Sequence, residues 1–130
     1  MLATNPQQIS RRVALKALRS LGDRWGMKLE EWPQILGRSR STFYKWLSEV
    51  NEDSHQANEP LDADIAERLS HIVSIYNGLH LLFGDSAFAD EWVNTPNSAF
   101  GESKPIQLIK SGHFEDLFRV RIYVDRSNAQ

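Results

Sequence analysis

Residues 62–84 read DADIAERLSHIVSIYNGLHLLFG, and the conformation of this stretch decides the class of the whole chain. Asn77-Gly78, set between Ile72–Tyr76 and Leu79–Phe83, is the strongest short-range signal for a β-hairpin. Against it, Ile65, Leu69, Ile72, Tyr76, Leu79 and Phe83 recur at steps of four, three, four, three and four. That is a helical stripe, and it crosses Asn77-Gly78 without changing phase. A glycine inside a helix costs about 1 kcal/mol relative to alanine, less than the burial of six large apolar side chains contributes. The stretch is therefore expected to be one helix, capped by Asp62 and ended by Gly84. The same six residues are the expected dimerisation stripe, packing within the chain and across a two-fold axis.

Upstream, Ser10–Arg24 reads as an amphipathic helix with Ser10 as N-cap and Ala14, Ala17, Leu18, Leu21 and Trp25 on one face. Leu29–Leu36 is a second, with Pro33 in its first turn and Gly37 closing it. Ser39–Glu49 is a third, with Ser39 as N-cap and Phe43, Trp46 and Leu47 inward. Together, Trp32–Leu47 (WPQILGRSRSTFYKWL) gives helix, glycine turn, N-cap and helix, the order that places a recognition helix in the major groove of DNA. Arg40, Ser41, Thr42, Tyr44 and Lys45 are the side chains expected at the bases and backbone. Arg38, Arg11 and Arg12 suit phosphates. The competing reading is a three-helix bundle with a solvated basic face.

Asn51–Pro60 (NEDSHQANEP) holds no apolar residue larger than alanine and reads as a mobile linker. The expected division is thus a head over residues 1–50, a linker over 51–60 and a second unit over 61–130. Within the second unit, Asp85–Val93 reads as a short helix, Asn94-Thr95-Pro96-Asn97 as a turn, and Lys104–Ser111 as a helix closed by Gly112. The last element is ambiguous. Phe118, Val120, Ile122 and Val124 alternate with Arg119, Arg121, Tyr123 and Asp125 as an edge strand would, whereas a helix over the same residues is apolar on two faces.

Lys and Arg total 15 against 17 Asp and Glu, but the balance is uneven. Residues 1–50 carry nine basic and four acidic side chains, residues 51–102 one and ten, and residues 103–130 five and three. A basic head fits a polyanion, and the acidic middle fits another partner. With no cysteine there is no thiol nucleophile, disulfide or cysteine zinc site. His55, His71, His80 and His113 show no metal-ligand spacing, no catalytic or cofactor fingerprint occurs, and Asp62 with Asp64 is better explained by helix capping. No enzyme, metal or cofactor is expected. Met1–Ile9 lacks a secretion-signal pattern, and the longest mostly apolar stretch, Ile72–Phe83, is 12 residues. A cytoplasmic protein with no membrane span is the default.

From the end of the long helix onward the chain resembles the toxin-binding domain of the Xre/MbcA/ParS-type antitoxins. The marks are Phe83-Gly84-Asp85, a short helix to Trp92, Asn94-Thr95-Pro96-Asn97, Phe100-Gly101, and Pro105-Ile106-Gln107-Leu108-Ile109. Relatives carry a small aliphatic residue and paired glycines where this chain has Phe100-Gly101-Glu102-Ser103. The resemblance implies an all-α fold, with an Xre-like helix-turn-helix head of three helices and a helical toxin-binding domain. It also implies a helical last element, Phe114–Val124. The implied function is an antitoxin that represses its own operon by binding operator DNA and neutralises a RES-domain toxin that consumes NAD; a homodimer is expected from the helical stripe and the prevalence of two-fold dimers. Val120, Arg121, Tyr123, Val124 and Arg126 are the expected toxin contacts, since a terminal helix with a second apolar face and arginines suits an interface core. The alternative is a transcription regulator whose C-terminal half binds a small effector.

Overall fold

A computed structural model describes residues 9–130; the stretch 1–8, on which the expectation about a secretion signal falls, lies outside the described residues. Among the described residues seven α-helices follow in order: α1 (Arg11–Trp25), α2 (Trp32–Leu36), α3 (Arg40–Asn51), α4 (Ala63–Phe83), α5 (Ala87–Glu91), α6 (Pro105–Lys110) and α7 (Phe114–Asn128). No strand occurs among the described residues, so the fold is all-α. None of these helices is long and apolar enough to cross a membrane.

The head forms as its punctuation directs. Ser10 Oγ accepts from the Val13 amide at 3.2 Å and starts α1. One tight helical turn, Leu29–Glu31, leads into α2, with Pro33 near its start. Gly37 then adopts φ 72°, a left-handed conformation that only glycine takes cheaply, and turns the chain sharply into α3. Ser39 Oγ accepts from the Thr42 amide at 3.1 Å, capping α3. Trp25, Trp32, Ile35 and Phe43 are almost fully buried in the resulting core.

The segment 51–60 differs from the mobile linker its composition suggests. His55–Asn58 form a tight helical turn with Ala57 completely buried. The Arg11 amide donates to Glu59 O and the Leu61 amide to Ile9 O, each at 3.0 Å. Polar composition here supplies backbone hydrogen bonds to the start of α1 and one methyl group to the core.

Helix α4 runs unbroken through Asn77-Gly78, and the helical stripe overrides the hairpin signal. Its first half packs on the head: Ile65 and Leu69 enclose a small void with Leu15, Leu18, Leu36 and Trp46. Its second half packs on α7, and there Gly78 has a specific purpose. A β-carbon at Gly78 would lie 2.5 Å from Val124 Cγ1, so the two helices cross where one has no side chain. Asn128 Nδ2 also donates to Gly78 O at 3.0 Å.

Two expectations about this region are corrected. Ile65, Leu69, Ile72 and Leu79 are at most 2% exposed within a single chain, so they are intrachain core and cannot be the dimerisation surface. Of that stripe only Tyr76 and Phe83 keep accessible area. Asp62 occupies the N-cap position of α4 but makes no capping hydrogen bond, because its carboxylate is turned to Arg38. The Phe118–Val124 alternation belongs to a helix, as the resemblance implies, and Leu117, Val120 and Val124 share its buried face at steps of three and four.

The turn after Phe100 carries two successive left-handed residues. Gly101 and Glu102 both have left-handed backbones, φ 63° and 68°, so Glu102 holds a conformation that a glycine adopts without strain.

Candidate functional site

Helix α3 is two-faced. Phe43, Trp46 and Leu47 are buried, while Arg40, Ser41, Tyr44 and Lys45 are exposed. Tyr44 stands edge-on to Phe43 at 6.0 Å, which steadies its ring at the surface. Thr42 is half-buried and its hydroxyl accepts from Ser39 Oγ at 3.0 Å, so it serves the cap more than an outside ligand. No carboxylate forms an ion pair with Arg40 or Lys45 among the described residues.

The three flanking arginines are placed differently from the simple phosphate contacts expected of them. Arg11 Nη1 lies 2.8 Å from the buried Glu49 Oε1, and its guanidinium covers the Trp46 ring at 5.6 Å. Arg12 pairs with Asp53 at 2.9 Å and donates to Asn58 at 3.3 Å. Arg38, in the turn, reaches Asp62 at 3.1 Å and Asp64 at 3.0 Å. The Asp62 hydrogen bond raises the guanidinium pKa further above its usual value. Slight desolvation pushes the Asp64 carboxyl up, but the hydrogen bond and charge of Arg38 outweigh it and hold that carboxyl low. Beside the turn, Lys110 of α6 bonds Glu31 at 2.8 Å, and with the Lys28 amide it keeps the Glu31 carboxyl below its ordinary range.

At the other end of the molecule, α7 divides the five expected toxin contacts. Val120 and Val124 are fully buried against α4 and offer nothing to a partner, a correction to the sequence reading. Arg121 is half-buried: its Nη1 donates to His71 Nδ1 at 2.8 Å and its Nε to Asp125 at 3.3 Å. Accepting that bond requires a neutral imidazole, and burial followed by the charge of Arg121 lowers the His71 pKa. Arg126 is exposed. Tyr123, 37% exposed, stacks on Trp92 at 5.9 Å and meets the Phe100 edge at 5.3 Å.

Three members of this surface are missing from the sequence-derived set. Arg119 lies over the Phe100 ring at 5.6 Å, and Trp92 and Phe100 form the floor beneath Tyr123. The signal for Arg119 was present: 119, 123 and 126 fall at steps of four and three, one face of a helix, but the strand-like alternation obscures it. No sequence signal brings Trp92 and Phe100 to that face, because both arrive from distant elements. Large apolar side chains are also exposed at Leu81 (77%) and Phe88 (72%), flanking Gly84. No cluster of three or more potential metal ligands occurs among the described residues.

Comparison with known proteins assigns both halves. Residues 6–74 match the antitoxin Xre-like helix-turn-helix domain, and residues 79–129 match the antitoxin Xre/MbcA/ParS C-terminal toxin-binding domain. The boundary between the two matches falls inside α4. A protein of Sinorhizobium fredii described as uncharacterized protein y4oB is 36% identical over 125 residues, covering 94% of this chain and 91% of its own length. A head built as helix, glycine turn and two-faced helix, joined through one continuous α4 to a helical second half, places the chain in the Xre/MbcA/ParS antitoxin family, with a DNA-binding-type helix-turn-helix and a toxin-binding domain.

Proposed function

We propose that the chain acts in the cytoplasm as an antitoxin, neutralising a RES-domain, NAD-consuming toxin through its C-terminal half and repressing its own operon through α3. The observation that carries the reading is the division of α3, aromatic side chains inward and Arg40, Ser41, Tyr44 and Lys45 outward behind a capped glycine turn. This is the arrangement that base-edge readout requires. As a homodimer the chain would present two such helices to a two-fold operator. That dimer uses surfaces other than the α4 stripe, which the chain's own core occupies.

For the toxin, the contact face is Arg119, Tyr123 and Arg126 above Trp92 and Phe100. Aromatic and arginine side chains concentrate binding energy in interfaces, and Tyr123 is held in place by stacking before any partner arrives. An NAD-consuming site must accommodate a pyrophosphate, and an arginine from this face supplies the matching bidentate donors.

The test uses the chain co-expressed with the RES-domain protein of its operon. Alanine at Arg40, Tyr44 and Lys45 together should abolish binding to the upstream promoter duplex and leave growth rescue and cellular NAD intact. Alanine at Arg119, Tyr123 and Arg126 should do the reverse. Truncation is unsuitable, because it removes Val120 and Val124 from the core. Retention of both functions by both triple variants would refute the assignment.

A further inference from the structure

Arg38 is the last residue before Ser39, the cap of α3, and so stands where a helix-turn-helix approaches the DNA backbone. Its Nη2 is shared by two carboxylates, 3.1 Å from Asp62 Oδ2 and 3.0 and 3.1 Å from the two Asp64 oxygens. Both carboxylate side chains are about two-thirds exposed, at 67% and 66%, whereas the Arg38 side chain is 28% exposed. Asp62 leaves the amides of its own helix uncapped to make this contact. Anionic oxygens around a planar guanidinium are the surroundings a phosphate would give it.

We infer that Asp62 and Asp64 occupy Arg38 in place of a DNA phosphate, making the start of α4 an autoinhibitory contact on the DNA-binding head. The inference rests on the DNA-binding reading above. The other two arginine pairs are of a different kind. Glu49 belongs to α3 itself, so the Arg11 pair moves with the head, and Asp53 lies in the segment stitched to α1. Of these three arginines Arg38 is the one paired with α4, the helix whose second half crosses α7 at Gly78; Arg68 of α4 also donates to Ile35 O and ties that helix to the head. A phosphate that takes Arg38 displaces the two exposed carboxylates, while Ile65 and Leu69 keep α4 packed on the head. By reciprocity, whatever draws Asp62 and Asp64 off Arg38 strengthens DNA binding.

The experiment compares the full chain with the Asp62→Asn/Asp64→Asn variant, each with and without Arg38→Gln, on a duplex from the chain's own upstream region over a series of salt concentrations. Arg38→Gln should leave the salt slope of the parent almost unchanged. The double asparagine variant should gain about 0.9 in the slope of log K against log salt, one phosphate contact, and Arg38→Gln should remove that gain while Arg38→Lys keeps it. Far-UV circular dichroism checks that each variant keeps its helices. If the asparagine variant binds DNA with the parental slope, or Arg38→Gln has the same effect in both backgrounds, the autoinhibitory contact is overturned and the DNA-binding reading stands. If none of the proteins, parent included, binds the duplex in a salt-dependent way, both fall.

Discussion

The substitution Gly78→Ala tests the crossing that holds the second half together. On helix propensity alone it should stabilise the chain by about 1 kcal/mol, since alanine is the better helix former. The structure reverses the sign. The new methyl would stand 2.5 Å from Val124 Cγ1 and 3.3 Å from Asn128 Nδ2. Val124 is 0% exposed and cannot swing aside, so either it leaves its rotamer or α7 moves off α4. Overpacking of this kind costs about 1–3 kcal/mol on its own, and the Asn128 bond to Gly78 O is disturbed as well. A net loss of about 1–2 kcal/mol is expected, lowering Tm by roughly 3–8 °C in thermal unfolding followed by circular dichroism. A double-mutant cycle isolates the cause. Val124→Ala alone should cost about 2 kcal/mol through the void it leaves, but with Gly78→Ala the two losses should fall short of their sum by about 1 kcal/mol, because the second methyl fills part of the void. A Tm raised by Gly78→Ala, or strict additivity in the cycle, would refute the close crossing.

Three further outcomes follow from particular contacts. Glu102→Gly should raise stability by about 0.5–1 kcal/mol in urea unfolding, since φ 68° strains any residue with a β-carbon; a destabilised variant would show that the carboxylate has a role of its own. His71 is held below its usual 6.5 by burial and then by Arg121, despite the opposing charges of Glu67 and Asp125. Near pH 6 the unfolded chain therefore binds more protons than the folded one, so its contribution to stability is complete above 6.5 and is lost as pH falls toward the folded value. Urea midpoints at pH 7.5 and 5.5 should differ less in His71→Gln than in the parent chain. Finally, Tyr123→Ala should weaken the toxin complex by about 2 kcal/mol, roughly 30-fold in Kd by calorimetry, whereas Tyr123→Phe keeps the stacking on Trp92 and most of the affinity; equal losses in both would move the anchor to the hydroxyl.

The helices, the serine caps of α1 and α3 and the helix-turn-helix were legible in the sequence because each depends on neighbours within one or two turns. Ser10, Ser39, Gly37 and Gly84 mark ends through local geometry, and the stripe from Ile65 to Phe83 reports its period whatever it packs against. Periodicity, however, says only that a face is apolar and not what covers it. The tertiary structure assigned Ile65, Leu69, Ile72 and Leu79 to the chain's own core instead of a second copy, and buried Val120 and Val124 while leaving Tyr123 at the surface. The same distinction applies to charge. Arg11, Arg12 and Arg38 read as available cations in a basic head, yet their partners Glu49, Asp53, Asp62 and Asp64 lie 24 to 41 positions away, and only folding brings them within 3.1 Å. Asn77-Gly78 shows the limit most directly. A turn signal is local, but the reason for Gly78 is the side chain of Val124, 46 residues further along the chain.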